Sequence, residues 1–194
     1  RYPEHMFDWP HGRIRPRRES GAPHVIILGI DPGLANTGWG VIETVGSRHR
    51  CIAYGCISTS AEEPTPDRLA RVHREVAAVI ARYHPSECAV ENVYFSTNAK
   101  SAFATGQARG VALLAMADAG LVLGEYSPVQ VKSAVVGSGG AEKHQIAYMM
   151  RVLLSLDHEP APDHAADALA VAVCHAHRAT GPAARARAAG PVAR

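Results

Sequence analysis

Three places along the chain put an ionisable side chain where packing alone would not ask for one. Asp31 closes the apolar run Val25-Ile26-Ile27-Leu28-Gly29-Ile30 and stands before Pro32-Gly33. An Asp in that setting also commonly opens a turn, so by itself it admits both readings. Glu91 interrupts Ala89-Val90 and Val93 inside a second short apolar run. A buried carboxylate there is costly unless it is paired, bound to a cation or protonated, the alternative being an exposed strand end. His164 and Asp167 head the run Ala168-Leu169-Ala170-Val171-Ala172-Val173, which is apolar nearly all round and so reads as a buried helix. Their spacing of three places both on one helix face. Taken alone, His164 reads equally as a surface histidine at a helix start. Asp163, directly after Pro162, is one position off the pair and reads as a helix cap.

Gathered at one place, Asp31, Glu91 and Asp167 would repel one another unless divalent cations lay between them, with the His164 imidazole alongside. Two hard cations shared by carboxylates can activate a water and stabilise the leaving oxygen when a phosphodiester is cleaved. Metal-assisted phosphodiester hydrolysis is therefore the chemistry these residue types point to.

The elements needed to bring them together are legible in the pattern. The run at 25–30 has strand length and the continuous apolar character of a strand covered on both faces. Strands predicted at 37–45 and 51–59, separated by a polar turn at 46–49, complete an antiparallel meander. The period then becomes helical, with Leu69, Val72, Val76, Val79, Ile80 and Tyr83 on one face and Asp67, after Pro66, placed as the cap. A buried strand at 88–93 follows, and a strand-helix-strand crossover builds parallel sheet. A long helix is expected over 98–119 with Ser96 or Thr97 as its cap, then a strand at 121–126 and a short helix at 128–136. A Gly-rich loop at 137–140, a helix at 141–156 and a last helix from Pro162 or Asp163 to about His177 close the domain. The class is α/β, a five-stranded mixed sheet flanked by helices. Asp31 and Glu91 end neighbouring strands, and the last helix carries His164 and Asp167 against them.

Composition bounds the rest. The 194 residues, 47% hydrophobic and 20% charged, suit one soluble domain rather than two. No apolar stretch is long enough to span a bilayer, and none has the form of a secretory signal. The four cysteines (Cys51, Cys56, Cys88, Cys174) form no CxxC pair, so packed, reduced thiols in a cytoplasmic protein are expected and a zinc site is not. The net charge of +2 says little about nucleic acid, but both ends are basic. Residues 1–23 read as a flexible basic arm, 24–177 as the domain, and 178–194, with four arginines and no acid, as a disordered basic tail for which DNA phosphates are candidate partners. The pair His5-Met6 has the look of a cloning junction, on which reading the first few residues are not native.

The motifs Gly29-Ile30-Asp31-Pro32-Gly33, Thr37-Gly38-Trp39-Gly40-Val41-Ile42, Glu91-Asn92-Val93-Tyr94, Gly106-Gln107-Ala108-Arg109-Gly110-Val111-Ala112, Gln130-Val131-Lys132, Val135-Val136-Gly137, Ala141-Glu142-Lys143 and Ala165-Ala166-Asp167-Ala168-Leu169-Ala170 occur in that order. Together they resemble the RuvC-type Holliday-junction resolvases, of the RNase H-like superfamily, from about Val25 to His177. The arm lies outside the match.

The resemblance implies a homodimeric endodeoxyribonuclease that places paired symmetric nicks in four-way DNA junctions during recombination and repair. It implies two divalent metal ions per subunit, Mg²⁺ or Mn²⁺, and the branch-migration proteins RuvA and RuvB as partners. Asp31, Glu91 and Asp167 match the family's acidic metal ligands. His164 departs from it, since many relatives carry Asp there, and whether it is a ligand or a general base stays open. An imidazole removes one negative charge and suits borderline metals, so Mn²⁺ is expected to be preferred.

Lys132 and Lys143 match lysines near the scissile phosphate and the DNA backbone, against the alternative of two solvated side chains. Tyr94 and Phe95 suit stacking on unpaired bases, although Phe95 is equally suited to the core. Arg109 joins the expected DNA contacts. Gly106 and Gly110 cost the long helix about 1 kcal/mol each relative to Ala, which points to a close approach on that face. The resemblance makes this the dimer partner, the alternative being the protein's own sheet.

Two other readings compete. A strand followed by Asp, Gly and a returning strand also begins the phosphate loops of actin- and hexokinase-type ATPases, but those need a second such domain for which this length has no room. A module that binds junctions without cutting them would be expected to lack some of the ligands. The cleavage sequence is not legible from these residues.

Overall fold

The sheet grows outward from the first buried strand. In the computed structural model, which describes residues 24–92 and 99–180, strand β1 (His24–Asp31) is the middle of a five-stranded sheet ordered β3-β2-β1-β4-β5. Strands β2 (Asn36–Val45) and β3 (Arg48–Ser58) form the expected antiparallel meander. Helix α1 (Thr65–Tyr83) crosses over to β4 (Glu87–Glu91), which pairs parallel to β1. Helix α2 (Ala99–Asp118) leads to β5 (Val122–Tyr126), parallel to β4. Helices α3 (Pro128–Val136), α4 (Lys143–Leu153) and α5 (Asp163–Thr180) complete the described chain.

Side-chain alternation along β1 divides the core in two. Leu28 and Ile30 face Val72, Val76 and Val79 of α1 and Ala112, Ala115 and Met116 of α2. Ile27 faces the opposite layer, where α5 lies on the sheet and α3 and α4 cover it with Val131, Val135, Ile146 and Met150. The three layers are thus α1/α2, sheet, and α5 under α3/α4.

Several local expectations need correction. Asp67 does not cap α1: the helix starts at Thr65, Pro64 holds the cap position without a side-chain bond, and Asp67 falls in the first turn. Pro66 fits there because a first-turn residue needs no intrahelical N–H bond. Asp163 is likewise the first residue of α5 rather than its cap, since the Pro162 carbonyl accepts from the Ala165 and Ala166 N–H groups. The Asp163 carboxylate still lies at the positive end of the helix dipole. Helix α4 is shorter than 141–156 because Glu142 and Gln145 form a capping box at its head and Ser155 takes a positive φ after its end. The arm 1–23, the tail beyond Thr180, the cap candidates Ser96 and Thr97, and Val93 lie outside the described residues.

Candidate active site

Strand register places the first two carboxylates. Ile30 pairs with Val90 across the parallel β1–β4 ladder, so Asp31 and Glu91 are the next residues on adjacent strands. Glu91 ends β4 rather than interrupting it, yet it stays half-buried. Asp167 and His164 arrive from α5, whose contact with the sheet is unusually close. A Cβ on Gly29 would overlap the Ala168 carbonyl oxygen, and one on Gly38 would overlap the His164 carbonyl oxygen. Only glycine at these positions lets the helix backbone settle directly on β1 and β2.

Farther along α5, buried His175 holds Tyr126 Oη through Nδ1 and Glu87 Oε2 through Nε2, both at 2.7 Å. The helix is therefore tied to β4 and β5 as well. These glycines and the His175 bridge were not recognised as positioning elements from sequence; the glycines stood in the quoted motifs but gave no sign of what they touch.

The result is convergence. His164 Nδ1 and Asp31 Oδ2 are 2.8 Å apart. That bond, with further attraction from Asp31 and Asp167, raises the His164 pKa although burial opposes it. Burial pushes Glu91 up to about 7, with Asp31 and Asp167 adding to the rise and Lys132 and Lys143 countering it. Asp167 also rises, first through burial and then through Asp31, while Lys143 and His164 oppose the shift. Mutual influence of this kind requires the four acidic and imidazole groups and both lysines to share one neighbourhood.

Lys132 lies half-buried on α3, and Lys143 is the exposed first residue of α4 behind the loop at 137–140. Lys143 thus stands at a helix start, the end of a helix whose dipole favours phosphate.

The donor set fits a hard or borderline divalent cation: carboxylate oxygens burdened by like charge, with one imidazole nitrogen alongside. It is not a closed cage. Among the described residues no three His, Cys, Asp or Glu side chains are gathered tightly enough to enclose an ion. The 2.8 Å bond occupies His164 Nδ1 and Asp31 Oδ2, so these two atoms could ligate only if it opened.

The remaining expected residues separate. Arg109 turns inward: Nη2 donates to Asn92 Oδ1 at 2.8 Å, Nε to the Glu91 carbonyl at 3.4 Å, and the guanidinium pairs with Glu125. Among the described residues nothing lies within 4 Å of a Cβ at Gly106 or Gly110, so the protein's own sheet is not what approaches them. Phe103 and Leu114, 70% and 53% exposed, flank them on α2. Tyr94 and Phe95 lie outside the described residues. No helix among the described residues is long and apolar enough to cross a membrane.

Comparison with known proteins converges on one family. The model of the family described as crossover junction endodeoxyribonuclease RuvC matches residues 27–175. The RuvC protein of Desulforamulus reducens is 51% identical over 152 residues, covering 78% of this chain and 93% of that protein. That of Heliobacterium modesticaldum is 51% identical over 156 residues, 80% of this chain and 96% of the relative. Among solved structures, Thermus thermophilus RuvC in complex with a Holliday junction substrate superposes with a TM-score of 0.76 at 38% identity, covering 80% of this chain and 95% of that one.

Proposed function

The chain belongs to the RuvC family of crossover junction endodeoxyribonucleases, and we propose that Asp31, Glu91 and Asp167, with His164, are the groups through which it cuts four-way DNA. The fold is RNase H-like and the activity class is hydrolysis of DNA phosphodiester bonds at Holliday junctions, in recombination and repair. The observation that carries the residue assignment is the convergence of Glu91, Asp31 and Asp167, from two adjacent strands and a helix, closely enough that Asp31 adds to the raised pKa of both Glu91 and Asp167.

Divalent-metal dependence belongs to the family. Bound there, such ions supply Lewis-acid activation of water and charge neutralisation at the leaving oxygen. The chain's part is to hold oxygen donors at three fixed element ends, to offset phosphate charge with Lys132 and Lys143, and to set the His164 imidazole against Asp31. Two ions per subunit are proposed, because three carboxylates and an imidazole exceed what one hydrated ion needs from the protein. Tyr94 and Phe95, directly beyond the strand that ends at Glu91, are proposed to stack on bases at the junction.

Asp31→Asn tests the assignment. It should retain binding of a synthetic four-way junction and lose cleavage in Mn²⁺ and in Mg²⁺; normal cutting by this variant would remove Asp31 from the site.

His164 leads to a metal preference. An imidazole in place of a carboxylate lowers the charge offered to Mg²⁺ and suits Mn²⁺. Cleavage at saturating metal should be faster with Mn²⁺, and His164→Asp should shift the balance toward Mg²⁺. Equal rates with the two metals in the unaltered protein would refute this. The exposed α2 face of Phe103, Gly106, Gly110 and Leu114 is proposed as the homodimer surface. A cytoplasmic location and cooperation with RuvA and RuvB are proposed from the family alone.

A further inference from the structure

The catalytic strand ends under a clamp. Beyond Glu91, the Asn92 N–H donates to the Tyr126 carbonyl at 2.7 Å, extending the β4–β5 ladder by one bond. On the other side Arg109, from α2, reaches the same two residues: Nε donates to the Glu91 main-chain carbonyl at 3.4 Å and Nη2 to Asn92 Oδ1 at 2.8 Å. Glu125 of β5 completes the arrangement by pairing with the guanidinium. The Arg109 side chain is 19% exposed, and its Nε and Nη2 are both engaged by the protein. A planar, always charged fork carries its donors on separate nitrogens and so can bridge acceptors spread over two strands, whereas a lysine offers all its donors from one nitrogen.

We infer that Arg109 is a positioning residue for Glu91, fixing the end of β4 from the helix that carries the exposed Gly106–Gly110 face, and that it is not a phosphate ligand. The inference rests on the assignment of Glu91 to the active site.

The physical need is plain. Glu91 is the last residue of β4, where a strand frays unless its main chain is held on both sides. A carboxylate that must meet a cation within a few tenths of an ångström inherits every error in its own backbone. Residues that orient ligands in this way typically contribute about 10- to 100-fold in activity or metal affinity. A phosphate contact behaves differently: it weakens junction binding, and its loss lowers the slope of log K against log salt by about 0.9.

The test compares Arg109→Ala, Arg109→Lys and Glu125→Gln in the full chain. Single-turnover cleavage of a four-way junction is measured at saturating protein and Mn²⁺. Junction affinity is followed across salt concentrations in chelator, and amide hydrogen exchange is followed over residues 87–92. Arg109→Ala should cut about 10- to 100-fold more slowly, with unchanged affinity and salt slope and faster exchange at the end of β4. Arg109→Lys, which keeps the charge, should recover only part of the rate, and Glu125→Gln, the mildest change, should slow cleavage least while leaving binding intact.

Should Arg109→Ala fail to fold, the lysine and glutamine variants decide the matter by the same readings. Weaker binding with a reduced salt slope and an unchanged rate at saturation would overturn the inference, as would full activity of Arg109→Lys and Glu125→Gln together. Loss of the dimer in sedimentation would overturn it in favour of a role in assembly. Glu91→Gln serves as the control. If it cuts normally, the active-site assignment fails and takes the inference with it, whereas an inactive Glu91→Gln beside a fully active Arg109→Ala sinks the inference alone.

Discussion

Burial, Asp31 and Asp167 move the Glu91 carboxyl from 4.5 to about 7, and that shift is a statement about stability as well as chemistry. Below pH 4.5 the group is protonated in folded and unfolded chains alike, and its position has no electrostatic cost. Between 4.5 and about 7 the unfolded chain loses the proton first, so the folded state binds more protons and stability falls as pH rises. Above that window the full penalty remains. Glu91→Gln should therefore stabilise the chelator-treated protein at pH 8, by about 1–2 kcal/mol after allowing for solvent screening, and leave it unchanged at pH 4. Thermal unfolding at the two pH values measures this. Destabilisation at pH 8 would mean that the carboxylate is already compensated by the protein. Asp167 shifts in the same direction for the same first cause, so the site is built at the expense of the fold that carries it.

The elements explain which parts of that site were legible in the sequence. Asp31, Glu91 and Asp167 were visible because a carboxylate beside an apolar run violates the pattern around it, and the order of strands followed from lengths and periods. What pattern could not show is contact at a distance. Gly29 and Gly38 stand in the sequence only as members of strand motifs, and only the packed structure reveals that α5 rests on their bare backbones. Arg109 is among the expected DNA contacts, yet its partners are Asn92, just past the end of β4, and Glu125 on β5, which no local spacing links to α2. The close seat of α5 makes a prediction. Gly38→Ala forces a methyl against the His164 carbonyl, so the fold should lose about 1–3 kcal/mol. Cleavage should fall further than that loss explains, because His164 and Asp167 are carried away from Asp31. Unfolding and cleavage measured on the same preparation separate the two effects, and a variant with normal stability and rate would show that α5 does not need this seat.

At the scale of the whole molecule, one subunit leaves two glycines on α2 without a reason of its own. Each weakens the helix by about 1 kcal/mol relative to Ala, and among the described residues neither has anything within 4 Å of a Cβ position. Exposed Phe103 and Leu114 on the same face would add apolar surface that a lone domain gains nothing by presenting. The proposed second copy, meeting this face about a two-fold axis, would account for both, since each helix would then meet its own glycine-lined counterpart and the backbones could close on one another. That arrangement sets two active sites in symmetric relation, which is the geometry that paired nicks in a four-way junction demand. Gly110→Glu places a charge in the contact without touching the subunit's own core, so each subunit should keep or slightly gain thermal stability at low concentration. Sedimentation should show the dimer lost, and a junction carried on a supercoiled plasmid should be nicked on one strand where the unaltered protein linearises it. A dimer that survives Gly110→Glu and still cuts both strands would place the partner surface elsewhere and leave these glycines unexplained.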